Sequence, residues 1–449
     1  MEQRNGVATR LIGWFATSPW TIPLIFAASA LMRILWVFKA RTTGPLLSEI
    51  HQVTATLART GVIANAYHMD GIPTTHVGFV APALGAAVYR LFGIDSLPSE
   101  MILFGLATAI LFGTMLLLDR CFALLGETQL MRRLAIALFL LVPVNINMET
   151  QDFRIREGNE ACFVLMGVLL AALTLDRARE IRWRDVIGLG ALAAFLFLLS
   201  PAVAVPAYAV CGVLALRRMP LRRWPGMVGI AAGLLVLFSL PWAIRNHDIT
   251  GKWLWSRGNA GLELGVGTYA EGVSPADPGL TFRHRLQSVH PFQSKEAYER
   301  MQAVGGEVAY AEVMGQEATA WARAHPMLAA KLWLRHVGQF YMPPPWLWSL
   351  AGHPGHADVG RSAYAALFVL LAAATLIAFL WRRRWLYLYP LAIIMTAVIP
   401  YIGPQPRTRY RYIITALLIF LAVAGTVRAA RWLAARHRRP KDVAAASLG

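Results

Sequence analysis

The chain alternates between long apolar runs and short, strongly basic stretches. A bilayer core of about 30 Å is crossed by about 20 mostly apolar helical residues. Ten runs approach that length: 19–40, 99–119, 134–147, 160–176, 186–200, 201–216, 227–244, 362–381, 385–402 and 411–430. The third and several others are short. An eleventh run, 77–93, either spans or lies along the interface, and the choice inverts the orientation of everything downstream. Two longer segments, 41–98 and 245–361, interrupt the rhythm. In the first, Ile50, Val53 and Leu57 recur at helical spacing between Ser48 and Gly61. This predicts an amphipathic interfacial helix with Ser48 as N-cap and Gly61 as its stop. Glu49 falls in its first turn, where it either complements the helix dipole or carries chemistry.

Composition agrees with a membrane protein. Of 449 residues 57% are hydrophobic and 15% charged, with a net charge of +18. So oily a chain is neither an ordinary soluble domain nor a disordered one. The basic clusters sit between apolar runs and not on a solvated face, which argues against a nucleic-acid partner. Cys121, Cys162 and Cys211 are scattered in apolar segments with no paired spacing, so they signal neither a disulfide framework nor a zinc site.

Short loops rich in Lys and Arg stay in the cytoplasm. With 77–93 at the outer interface, 22 of the 43 basic residues fall on the inner side, against seven acidic ones. Both termini are then cytoplasmic, and the first apolar run reads as a signal anchor. The expected organisation is an N-terminal transmembrane module 1–244 holding the outer loop 41–98, and an outer, mainly helical lobe 245–361 with 11 basic and 10 acidic residues. Transmembrane helices at 362–432 and a basic tail at 433–449, expected to be disordered, complete the chain.

Ionisable residues at membrane depth or at its rim are functional candidates by default. The loop after Gly71 is broken by Gly and Pro and carries His76, a shape that suits a cavity wall. His51, His68, Asp70 and His76 join Glu49 as a candidate divalent-metal set, because imidazole and carboxylate suit zinc or manganese. Nothing in the sequence fixes their geometry. Arg245, Lys252 and Arg257 sit near Trp242, Trp253 and Trp255 at headgroup height. Anchoring explains the tryptophans but not Asn259 and Glu263 in a Gly-rich stretch. Arg407, Arg409 and Arg411 break the positive-inside pattern, and a guanidinium fork matches phosphate oxygens. Arg33 is a buried-cation candidate within the first span. Glu157 and Glu160 lie three apart before a span and share a helix face.

At these residues the chain resembles the bacterial membrane glycosyltransferases of the GT-C class, those grouped with protein mannosyltransferases and aminoarabinose transferases. The likeness covers most of the chain. Its pieces are Glu49, the Gly/Pro/Thr loop, Leu91-Phe92-Gly93, Ser200-Pro201-Ala202, Pro241-Trp242, Arg245-Asn246, Gly251, Arg257, Asn259 and Gly261-Leu262-Glu263-Leu264. His290-Pro291, Gly306-Glu307, Tyr310, His325-Pro326, Arg335 and Arg409-Tyr410-Arg411 follow in the family's order.

The resemblance implies an all-α integral membrane bundle of about 10–11 transmembrane helices with outer interfacial helices and a small outer lobe. It also implies a polyprenyl-phosphate sugar donor, a lipid, glycan or protein acceptor, and an active site on the extracytoplasmic face of the bacterial inner membrane. Glu49 matches the catalytic base. Ser48 stands where members with an Asp-Glu pair carry the aspartate, so the chain is similar to the branch with a lone glutamate. Arg409, Arg411, Arg245 and Arg257 are the expected phosphate ligands, Glu157 or Glu160 the second acidic group, and Asn259, Glu263 and His76 supporting residues. Metal is held in this loop by some members only. The competing class is a transporter or flippase of lipid-linked sugar, which would favour inverted repeats and broken helices at the midplane. No repeat is visible, and the polar signals gather on one face.

Overall fold

A computed structural model describes residues 10, 12–41, 48–350 and 354–446, with backbone alone at 40–41 and 434–446. Among the described residues there is no strand beyond a single bridge between Ala64 and Pro73. The longer helices are α1 (Thr21–Arg41), α2 (Glu49–Thr60), α3 (Val80–Phe92), α4 (Leu97–Leu124), α5 (Gln129–Leu141) and α6 (Gly158–Arg177). They continue as α7 (Trp183–Leu199), α8 (Pro201–Arg218), α9 (Trp224–Thr250), α10 (Ala260–Gly267), α11 (Pro278–Val289) and α12 (Lys295–Ala303). The last are α13 (Glu307–Ala324), α14 (Pro326–Tyr341), α15 (His356–Trp381), α16 (Leu388–Thr396) and α17 (Thr408–Ala446).

Seven described helices are long and apolar enough to cross a membrane: α1, α4, α6, α8, α9, α15 and α17. The shortfall from the expected ten or eleven falls on particular elements. Run 134–147 is half of a pair that bends by 77° between α5 and the helical turn after Asn145, and it makes an eighth span only if the bent pair is counted as one. Run 186–200 is the 17-residue α7, run 385–402 is a shorter apolar helical stretch, Trp385–Tyr401, in which 3-10 turns flank α16, and run 77–93 is the 13-residue α3. At 1.5 Å per residue α3 is about 20 Å long, too short for a bilayer core.

Two boundaries differ from expectation. Helix α9 continues past 244 to Thr250, where Gly251 adopts φ 71° and returns its N–H to His247 O, so Arg245 belongs to this helix and not to the lobe. Helix α17 continues to Ala446 through the expected disordered tail, as its Ala- and Arg-rich sequence favours.

The bundle has two chemically distinct ends. One carries arginines locked onto buried carboxylates: Glu127 takes Arg428 at 2.6 Å, Arg384 at 3.3 Å and the Tyr387 hydroxyl at 2.5 Å. Asp176 takes Arg217 at 2.8 Å and Arg218 at 3.6 Å. Part of the basic excess therefore ties helix ends together. The opposite end is covered by α2, α3 and α10 to α14, and it holds the cavity described below.

Arg33 is fully buried in α1 and pairs with Glu149 just past the 77° bend, while donating to Ser29 Oγ at 2.5 Å and Leu140 O at 3.0 Å. Tyr412 of α17 donates to the other Glu149 oxygen at 2.9 Å. The group closes α1, the bend and α17 around one neutralised charge. Removing one partner of such a pair strands the other, so Glu149→Leu should destabilise the fold by about 3–5 kcal/mol. Thermal unfolding in detergent checks this. The double change Arg33→Met with Glu149→Leu should recover much of the loss, and equal losses in both proteins would contradict the pairing.

Candidate active site

Helix α2 starts at the site. Ser48 is its N-cap, with its hydroxyl accepting from His51 N at 3.4 Å, and Gly61 stops it at φ 79°. Glu49, its first residue, therefore projects from the helix N-terminus into a cavity of about 750 Å³. That volume suits a small ligand site.

The loop before α3 brings His76 alongside. Glu307 at the start of α13 accepts from the Thr74 and Thr75 hydroxyls at 2.6 Å each and from the Thr75 amide. Arg245 of α9 donates to Thr74 O at 2.7 Å and Ile63 O at 3.0 Å. Clamped from both sides, His76 Nδ1 lies 2.8 Å from the Tyr67 hydroxyl. His290, just past α11, approaches Glu49 Oε1 with Nε2 at 3.8 Å, while its Nδ1 accepts from Phe292 N at 3.3 Å. Arg156 faces the other Glu49 oxygen at 3.4 Å.

Electrostatics follow from this packing. Burial by itself raises a carboxyl, but Arg156 first, and then His290, His76 and Arg409, outweigh it and hold Glu49 down to about 2. Burial drives His76 down to about 3 against the pull of Glu49, and it lowers His290 as well. At neutral pH the site thus contains an ionised carboxylate between two neutral imidazoles. Glu49, His76 and His290 can each offer a ligand atom, all within 4.8 Å of one another, the one such group among the described residues. In kind and spacing they fit a divalent cation held by two imidazoles and a carboxylate, although ligation through His290 Nε2 would give up the long bond from the Phe292 amide.

A second wall is cationic. Arg257 pairs with Glu157 across the cavity rim. Burial would lower Arg257 and raise Glu157, yet their mutual attraction moves both the other way. Arg407 and Arg409 both line the cavity. The Arg409 guanidinium lies 5.0 Å over the Tyr410 ring and donates to the Tyr410 hydroxyl at 3.1 Å, and Tyr410 stacks on Tyr401 at 4.4 Å. Burial and the neighbouring Arg409 push Arg407 down to about 10. Two crowded guanidiniums of this kind are relieved by an anion.

Glycine explains how α10 reaches both walls. A Cβ at Gly261 would collide with Ala311 O of α13, and one at Gly267 with the backbone of Gly403 to Gln405. This close approach sets Asn259 and Glu263, which line the cavity, between the lobe and the loop carrying Arg407 and Arg409.

Of the candidate site residues read from the sequence, Glu49, His76, Glu157, Arg257, Asn259, Glu263, Arg407 and Arg409 line this one cavity. The others are placed elsewhere. Arg411 is buried and donates to Tyr341 O at 3.1 Å, Thr415 Oγ1 at 3.2 Å and Ala365 O at 3.4 Å; one residue pair along a helix turns it about 200° away from Arg409. Arg245 spends its donors on the His76 loop. Glu160, in the first turn of α6, buries one carboxyl oxygen without a hydrogen-bond partner and is not part of the cavity wall. His51 pairs with Asp95 at 2.7 Å, His68 packs edge-on against Tyr298, and Asp70 accepts from the Tyr298 hydroxyl. Of the candidate metal ligands only His76 and Glu49 meet, and their partner is His290. Sequence reasoning missed His290, Arg156 and Glu307 as site residues; His290-Pro291 and Gly306-Glu307 were visible only as parts of the family resemblance.

No protein-family model matches the chain, and no curated protein does. Solved structures do. The archaeal oligosaccharyltransferase AglB from Archaeoglobus fulgidus, in complex with an inhibitory peptide and a dolichol-phosphate, matches with a TM-score of 0.51 and 13% identity over 96% of this chain and 52% of that one. The apo form of the Archaeoglobus fulgidus oligosaccharyltransferase matches with a TM-score of 0.50, 13% identity, and the same shares. ArnT from Cupriavidus metallidurans, bound to undecaprenyl phosphate, has a TM-score of 0.37 and 13% identity over 91% of this chain and 77% of that one. The chain spans about half the length of the oligosaccharyltransferase. At this identity the likeness is one of fold: an all-α integral membrane bundle of the GT-C kind.

Proposed function

We propose that the chain is an inverting glycosyltransferase that moves a sugar from a polyprenyl-phosphate donor to a lipid, glycan or protein acceptor on the extracytoplasmic face of the bacterial inner membrane. One observation carries this reading: an ionised carboxylate, Glu49, and the crowded pair Arg407 and Arg409 line the same cavity. The similar fold of an oligosaccharyltransferase solved with a dolichol-phosphate makes a polyprenyl phosphate the first carrier to test.

The chemistry follows from the residue types. The acceptor hydroxyl gives its proton to Glu49 as its oxygen bonds to the anomeric carbon from the face opposite the leaving phosphate, which inverts that centre. Arg409, Arg407 and Arg257 stabilise the charge that grows on the departing phosphate. Glu157 would hold Arg257 in readiness or meet the acceptor, and Asn259 and Glu263 shape the wall between the two substrates. A divalent cation, where bound, would be held by Glu49, His76 and His290 and would supply Lewis-acid polarisation. The one-sided placement of these groups favours transfer over transport.

A carboxylate near 2 is a weak base, and donor binding resolves the difficulty. A phosphate in the cavity that Arg156 and Arg409 both line would offset the cations that depress Glu49 and let it rise toward the ordinary 4.5. Above about pH 4, kcat, which reports the bound enzyme, should therefore begin to fall on an acid limb where kcat/KM, which reports the free enzyme, stays flat. Coincident limbs would contradict the coupling. The measurement belongs above about pH 4. His76 and Glu49 both have folded values below their unfolded ones, so their contributions to stability are complete above 6.5 and 4.5 and are lost as pH falls toward 3 and 2.

A further inference from the structure

We propose that a cleft at the arginine-rich end of the bundle, remote from the active-site cavity, binds the headgroup of an anionic phospholipid. Its volume is about 480 Å³, and it lies between the start of α1, the last turns of α4 and the first turns of α5. The distance from the active site follows from α4 itself. That helix begins beside Asp95, which holds His51 on the Glu49 helix, and its cleft residues, Leu116 to Ala123, lie about 28–39 Å further along it.

The cleft is built in two halves. Ile22, Leu116, Leu117 and Ala123 form an apolar wall, and Arg120, Arg132 and Arg133 with Asp119 form a charged one. Arg132 donates to the Asp119 carboxylate at 2.5 Å and to its carbonyl at 3.2 Å. One carboxylate therefore faces three guanidiniums. Arg133 is 96% buried, since its exposure is 4%, and donates to Phe15 O at 2.8 Å, yet its Nε has no hydrogen-bond partner, and neither has the buried Nε of Arg132. Three guanidiniums against one carboxylate leave an excess of positive charge that an anion with several acceptor oxygens would neutralise.

A phosphodiester with an acyl chain satisfies both halves at once. Its oxygens accept from the guanidiniums, and the chain lies along Leu116, Leu117 and Ile22 at the lipid-facing side of α4. A free phosphate gains nothing from the apolar wall. The chain's own first nine residues carry Glu2 against Arg4 and bring no net negative charge to the cleft. Loops of this kind at the cytoplasmic leaflet meet anionic lipid, and each basic side chain near that surface adds about fivefold to binding.

Native mass spectrometry of the full chain, exchanged from detergent into phosphatidylglycerol or phosphatidylcholine micelles, reads the site directly. Retention of phosphatidylglycerol over phosphatidylcholine is expected. Arg120 is exposed, so Arg120→Ala should fold normally and lower that retention about fivefold. Arg382→Gln, an exposed cation at the same end but outside the cleft, should leave it unchanged. Equal retention of the two lipids would overturn the proposal, as would an equal loss in Arg382→Gln, which would mean surface charge alone. Displacement of the lipid by millimolar inorganic phosphate would identify a free-anion site instead. Binding that appears only when residues 1–9 are removed would mean that the chain covers its own cleft.

Discussion

Glu49→Gln is expected to lower the transfer rate by about 10²–10⁴-fold while leaving the fold intact. The amide keeps the shape of the side chain at the α2 N-terminus, and Ser48 and Gly61 continue to cap the helix. Its one carbonyl oxygen can still accept from Arg156, 3.4 Å from the carboxylate, and its NH2 takes the place of the oxygen 3.8 Å from His290. What it loses is the lone pair that takes a proton at neutral pH. The defect should appear in kcat, measured at saturating donor, with little change in KM for the donor. A Glu49→Gln protein that turns over at the wild-type rate would remove Glu49 from the chemistry.

Arg409→Gln is expected to cost about 10²–10³-fold in kcat/KM, the scale of deleting one preorganised donor to a developing anion. The stack of Tyr401 and Tyr410 fixes the direction of the guanidinium before substrate arrives, so its loss is not recovered by a neighbouring rotamer. Arg411→Gln serves as the contrast. Its donors go to Tyr341 O, Ala365 O and Thr415, so its removal should lower Tm and leave the donor KM close to that of the wild type. Matching kinetic defects in the two variants, at matching stability, would contradict this division.

That division marks where the sequence is legible and where it is not. Apolar run length identifies α1, α4, α6, α8, α9, α15 and α17, because a span is a local property. The amphipathic period and the Ser48 and Gly61 signals identify α2 for the same reason. Glu49, Arg257 and Arg409 stand out because charge at the expected outer rim has to be explained. Partners are harder to read. Glu49 meets Arg156 and His290 across 107 and 241 residues of chain, and no spacing encodes such a meeting. His51, His68 and Asp70 look suitable only because they are near in sequence; in the fold Asp95 and Tyr298 occupy them. Arg245 and Arg411 carry the same charge as Arg409, but backbone carbonyls take their donors. The 77° bend at 142–145 misleads in the other direction, since an apolar run that turns a corner still counts as apolar.

The most direct measurement is single-turnover transfer by the purified chain in lipid discs loaded with a polyprenyl-phosphate sugar and membrane acceptor extract, with products identified by mass spectrometry. The expected result is one free polyprenyl phosphate released for each sugar found on acceptor with inverted anomeric configuration, both appearing about 10²–10⁴-fold more slowly with Glu49→Gln. Intact donor recovered with the wild-type chain across donors of differing sugar, or donor that only changes leaflet, would contradict a glycosyltransferase.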